Sequence, residues 1–171
     1  MKKNNFIFNQ VTIIGVGLIG GSLGLAIKKK RLARQVIGFS RRQKTISQAL
    51  KLKAIDKGTL DLNKAIKGSD LIVLATPAET IIKLAKLIAK IVKEDCIVTD
   101  VGSCKAKIIA SLEKNFPKNI KFIGGHPLAG SEKKGVVFAC PDMFVKSLCI
   151  LTPTKKTDLL AFKKIKTLWQ R

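Results

Sequence analysis

Short apolar runs alternate with amphipathic stretches from residue 11 to the end of the chain. The runs at 11–14, 36–39, 70–75, 96–101, 122–125 and 147–152 carry few charged positions, so each reads as a strand largely covered on both faces. Between them the apolar positions switch to helical spacing. In 45–53, Ile46, Ala49 and Leu50 stand at i, i+3 and i+4. In 78–91, Ile81, Ile82, Leu84, Ala85, Leu87 and Ile88 line one side. Helices are also predicted over 20–30, 62–66, 105–114 and 157–170, the last containing Leu160, Ile165, Leu168 and Trp169. Residues 1–10 read as a lead-in, and 54–60 as a connection with room for a short strand. Pro77 stops the 70–75 strand, because proline donates no ladder hydrogen bond and restrains Thr76. The alternation predicts an α/β domain on a Rossmann-like, doubly wound, mainly parallel sheet with helices on both faces. Ligands of such sheets bind at the carboxyl ends of the strands. The polar segments 15–20, 40–42, 76–77, 100–103 and 126–131 fall there, and one crevice is expected to collect them.

The first of these segments is Gly15-Val16-Gly17-Leu18-Ile19-Gly20, a G-x-G-x-x-G between a strand-like and a helix-like run. Gly15 allows the tight turn. Gly17, without a Cβ, lets a pyrophosphate approach the backbone, and Gly20 lets the helix sit close on the strand. The first helical N–H groups then point at the phosphates, whose charge the helix dipole favours. Dinucleotide binding is the reading; a structural glycine turn in another α/β protein is the alternative. About 20 residues further on, such units usually place an acidic residue against the ribose 2′-hydroxyl. Here that place is held by Ser40, followed by Arg41 and Arg42. A carboxylate would repel a 2′-phosphate, whereas serine can bond it and arginine can neutralise it with a planar fork of donors. The cofactor is therefore expected to be NADP rather than NAD, unless the arginines merely open a solvated helix.

At 171 residues with 46% hydrophobic content the chain suits one globular domain. No apolar run approaches the roughly 20 residues of a membrane span, and no signal peptide is visible, so a cytoplasmic protein without membrane partners is expected. Cys96, Cys104, Cys140 and Cys149 form no C-x-x-C pair, and with His126 as the sole histidine no metal site is expected; free thiols are. The net charge of +22 raises the question of nucleic acid. Lysines are spread over almost every segment, aromatics are few and tyrosine is absent, so no base-stacking platform is visible and no specific nucleic-acid partner is expected. Lys28-Lys29-Lys30-Arg31 suits the dipole at the end of the first helix.

Four blocks together resemble the prephenate/arogenate dehydrogenase family of tyrosine biosynthesis. They are the glycine turn with Gly21-Ser22, Ala75-Thr76-Pro77, Thr99-Asp100-Val101-Gly102-Ser103-Cys104-Lys105, and Gly125-His126-Pro127-Leu128-Ala129-Gly130-Ser131-Glu132. The last two are much more specific than the first. The Ser40-Arg41-Arg42 variant looks like the NADP-preferring, arogenate-type branch. The resemblance implies oxidative decarboxylation of arogenate or prephenate, with hydride passing from the ring carbon to NADP and the ring carboxylate leaving as CO2. It implies that His126 is the catalytic histidine, bonding the ring hydroxyl and taking its proton. Ser103 would orient it, and Ser131 would lie near the substrate. Gly15, Gly17, Leu18, Ile19, Gly20, Thr76 and Pro77 would line the cofactor. An imidazole titrates near neutrality and suits a general base; the alternative is a histidine bracing its Gly-Gly-His-Pro turn. Ser103 could equally be the N-cap of the following helix. Asp100 could be structural, and 132–134 a solvated turn.

Family members continue into a helical domain that supplies the homodimer interface and basic residues for the substrate's carboxylates. Nothing in this sequence corresponds to it. Residues 1–171 are read as the dinucleotide-binding domain, stopping near its C-terminal end without a strand after the last helix. The sheet is then expected to lack an edge partner and Trp169 part of its covering. Two other readings stand beside the dehydrogenase: a nonenzymatic nucleotide-binding remnant, and another NADP-dependent reductase of small acids, against which the His126 block counts.

Overall fold

Alternate residues of the central strands feed two separate cores, which makes the sheet a buried middle layer. Ile13, Leu71 and Val73 pack on one face with Leu23, Ile27 and Ile165, while Ile14, Ile72 and Leu74 pack on the other with Ile81, Ile88 and Ile108. The computed structural model describes residues 6–117 and 120–171. Its strands are β1 (Phe8–Ile14), β2 (Ala33–Phe39), β3 (Lys57–Thr59), β4 (Leu71–Leu74), β5 (Ile97–Asp100), β6 (Lys121–Pro127) and β7 (Cys149–Thr152). The helices are α1 (Leu18–Lys29), α2 (Gln43–Lys51), α3 (Leu62–Ile66), α4 (Ala78–Ile88), α5 (Lys105–Asn115) and α6 (Leu159–Gln170). The order β3-β2-β1-β4-β5-β6-β7 is parallel throughout except between β6 and β7. Chain direction across the sheet reverses between β1 and β4, and a Rossmann-like crevice opens there at the strands' carboxyl ends.

Most predicted elements are present with shifted ends. β1 and β2 each begin three residues early, because Phe8 pairs with Ala33 although polar Asn9, Gln10, Arg34 and Gln35 interrupt the apolar signal. The former lead-in thus contributes to the sheet; its residues 1–5 lie outside the described residues. The short strand expected within 54–60 is β3, paired with β2 at Gly38↔Gly58. α1 starts at Leu18, directly after Gly17. α6 starts at Leu159, where the Asp158 carboxylate accepts the Ala161 N–H at 2.7 Å as an N-cap. A 3₁₀ turn, Val136–Phe138, has no counterpart among the elements expected from the sequence.

The largest correction concerns β6. It runs on through His126 and Pro127 instead of ending in a turn at Gly125, because β7 returns antiparallel and pairs His126 with Ile150 and Pro127 with Cys149. Proline is tolerated at such a strand end. β7 is an outer strand of the sheet; Ile150 within it and Leu148 just before it are exposed. Trp169 is half-buried and packs edge-on against Phe144 with ring centroids 5.4 Å apart. All four cysteines are free. Burial pushes the Cys96 thiol up to about 12 and Cys149 up to about 11, so both stay protonated at neutral pH.

Candidate functional site

The glycine turn joins β1 to α1 by contacts that leave little choice of residue. Gly15 has φ +97°, and a Cβ there would lie 2.6 Å from the Ala75 carbonyl oxygen. A Cβ on Gly20 would collide with the Gly15 carbonyl oxygen. Gly17 differs: nothing lies within 4 Å of the Cβ it lacks. It is also the N-cap of α1, with no side-chain cap and no acidic residue in the first turn. Such an end offers unpaired N–H groups and positive dipole to an anion. Thr76 packs its side chain against Gly15, and its hydroxyl is buried with no hydrogen-bond partner among the described residues. An orphaned hydroxyl, open backbone and an uncapped helix start together fit a phosphate-bearing cofactor.

Two adjoining hollows meet at Ala75, Thr76 and Pro77. The larger, about 660 Å³, holds Gly15, Gly17, Ser40, Arg41 and Arg42. The Ser40 hydroxyl accepts the Arg42 N–H at 3.3 Å, and α2 has no acidic residue in its first turn. Thr45 of α2 and Thr80 and Lys83 of α4 also line this hollow. Sequence reading passed over them because their spacing marks them only as the polar sides of amphipathic helices.

The smaller hollow, about 330 Å³, holds Ile19, Ser103, His126 and Ala129. His126 reaches it because β6 outruns its neighbour. The β5–β6 ladder stops at Thr99↔Ile123 and β5 ends at Asp100, so residues 125–127 rise past the end of β5. Ser103 does not cap α5, as the cap reading expected; the cap position is Cys104, without a side-chain bond. Ser103 is exposed on the loop between β5 and α5. Leu18 is buried in the first turn of α1 and lines neither hollow. Ser131 is not brought to this hollow: it is exposed, and its hydroxyl accepts the Lys133 N–H at 3.2 Å. Asp100, at the end of β5, is fully buried and paired with Lys105. Burial raises the Asp100 carboxyl above the usual range and lowers Lys105, while their mutual bond opposes both shifts.

A doubly wound sheet with a glycine-lined crevice at its switch point defines a Rossmann-like nucleotide-binding domain. Residues 23–171 match the family model for the prephenate dehydrogenase nucleotide-binding domain, and the chain belongs to that family. Among its relatives, prephenate dehydrogenase of Bacillus subtilis is 37% identical over 161 residues, covering 94% of this chain and 43% of that protein. The Aquifex aeolicus prephenate dehydrogenase structure in complex with hydroxyphenyl propionate and NAD+ superposes with a TM-score of 0.88 at 36% identity, over 95% of this chain and 56% of that one. The Synechocystis arogenate dehydrogenase structure gives 0.86 at 30% identity, over 94% and 56%. The chain thus spans about half the length of the proteins it matches. The family is one of oxidoreductases that use a nicotinamide cofactor.

Proposed function

We propose that this chain is the nucleotide-binding part of an NADP-dependent arogenate or prephenate dehydrogenase. The observation that carries the reading is that His126 and Ser103 line a hollow continuous, through Thr76 and Pro77, with the one that holds the glycine turn. The backbone of Gly15, Gly17, Leu18, Ile19 and Gly20 and the start of α1 hold the pyrophosphate. Ser40, Arg41 and Arg42 receive the 2′-phosphate, and Lys83 lines the same hollow. The bound nicotinamide supplies the hydride acceptor. His126 accepts the proton of the ring hydroxyl as the carbon bearing it loses hydride and becomes a carbonyl carbon. The bond to the ring carboxylate breaks, CO2 leaves, and its electron pair completes the aromatic ring. Ser103, lining the same hollow, bonds the hydroxyl or imidazole and fixes the direction of that transfer.

The test has two parts. NADPH and NADH are titrated against the chain by nicotinamide fluorescence, and arogenate or prephenate is then added with the oxidised cofactor. NADPH is expected to bind roughly 10-fold tighter than NADH, and equal binding would remove the 2′-phosphate reading. His126→Asn is expected to keep cofactor binding and lower turnover about 10²- to 10⁴-fold. Full turnover in that variant would remove His126 from the reaction.

A further inference from the structure

Asp100 ends β5 with a fully buried carboxylate, yet neither it nor Lys105 lines the hollow that holds Ser103 and His126. Burying a carboxylate is unfavourable unless it is paired and hydrogen-bonded. This one is bonded on three sides. Oδ2 accepts the Gly102 N–H at 2.9 Å and a bond from the Lys105 ammonium. Oδ1 accepts the Gly125 N–H at 3.2 Å. Gly102 immediately precedes Ser103, and Gly125 immediately precedes His126.

The position of these bonds is what sets them apart from an ordinary buried ion pair. The β5–β6 ladder ends at Thr99↔Ile123, one residue before β5 itself ends at Asp100. The Thr99 hydroxyl donates to the Ile123 carbonyl at 2.7 Å, and the Asp100 carboxylate then takes the Gly125 N–H, so side chains of β5 continue the hold on β6 where the ladder has ended. The glycines permit this closeness. A Cβ on Gly102 would lie 3.2 Å from Asp100 Oδ2, and one on Gly125 would lie 2.9 Å from the Asp100 carbonyl oxygen. The Lys105 side chain, 14% exposed, comes from the first turn of α5 and ties that helix to the same carboxylate.

We propose that Asp100, neutralised by Lys105, is a positioning residue: its carboxylate sets the separation and direction of Ser103 and His126 across the hollow. The catalytic meaning of that separation rests on the dehydrogenase reading; the brace itself does not.

His126 is the single histidine, so its ring gives one set of imidazole signals in an NMR spectrum. The double variant Asp100→Asn/Lys105→Met removes both charges together and leaves no uncompensated buried ion. It also leaves the net field at His126 little changed, so a displaced ring signal reports geometry. The expected result is unchanged nicotinamide cofactor affinity, with His126 ring signals shifted and broadened relative to the unmodified chain. In an enzyme that turns over, kcat falls about 10- to 100-fold at constant cofactor KM. Ring signals that coincide with those of the unmodified chain, in a protein merely less stable, overturn the proposal. Should the double variant not fold, the isosteric Asp100→Asn replaces it; it leaves Lys105 charged, so broadening rather than shift of the ring signals is read as geometry there, and sharp ring signals like those of the unmodified chain overturn the proposal equally. If the unmodified chain binds no nicotinamide cofactor, the dehydrogenase reading falls, while the ring comparison still decides the brace.

Discussion

Gly17 and Gly20 stand three positions apart on one turn and leave opposite kinds of space. Beside Gly17 there is open volume; beside Gly20 there is the Gly15 backbone. Gly17→Ala is therefore expected to unfold like the unmodified chain and to weaken NADPH binding about 10-fold or more, because its methyl occupies the pyrophosphate's approach. Gly20→Ala is expected to reduce stability by about 1–3 kcal/mol before any ligand is added. Urea unfolding beside a fluorescence titration separates the two, and equal loss of stability in both variants would contradict the geometry. At this scale much of the site is legible in the sequence, since the glycine turn and the His126 block are local patterns. Asp100 is not legible as a brace. Its partners lie two, five and 25 residues away, and spacing along a chain does not say which backbone N–H groups meet in space.

Asp70 acts on elements rather than on the site. Its Oδ2 accepts the N–H groups of Asn9 at 2.7 Å and Gln10 at 3.1 Å, and Lys93, beyond α4, meets Oδ1 at 2.6 Å. Burial works to raise this carboxyl, but the Lys93 bond and the two backbone donors outweigh it and hold it below the usual carboxylate range. A carboxylate depressed in the folded state contributes stability above its unfolded pKa, and that contribution is lost as pH falls through the lower folded value. Asp70→Asn should therefore cost about 1 kcal/mol at pH 7, discounted from a fully buried case because Lys93 is 45% exposed. The difference should shrink below about pH 4. Urea midpoints measured from pH 7 downward check the sign; a penalty that grows on acidification would refute it. The same contact explains the early start of β1. Asn9 and Gln10 look like loop in the sequence, and the carboxylate that accepts their N–H groups and holds them in place belongs to a residue some 60 positions later. The extension of β6 has a similar origin, because β7 supplies the ladder that Gly125-His126-Pro127 lacks by itself.

Over the whole molecule, 33 basic residues against 11 acidic ones make the surface strongly positive. A cofactor with an additional phosphate meets that field with more charge, and salt screens it. NADPH affinity is expected to fall roughly 3- to 10-fold between low and high ionic strength, and more steeply than NADH affinity. Parallel slopes for the two cofactors would mean that the 2′-phosphate does not meet Arg41, Arg42 or Lys83. Isothermal titration at several salt concentrations measures this directly.

The alternation of apolar runs with helical periods by itself determined the α/β class, because strand and helix periods are set by local backbone geometry. The two specific motif blocks likewise determined the family. Only the tertiary structure decided that β7 runs antiparallel, that His126 stands on a strand above the end of β5, that Ser131 lies outside the hollow, and that one buried carboxylate ties Ser103's loop to His126's strand. The division follows from range. Periodicity and turn chemistry act between near neighbours, whereas pairing direction, burial of charge and the meeting of loops depend on contacts between segments far apart in the chain.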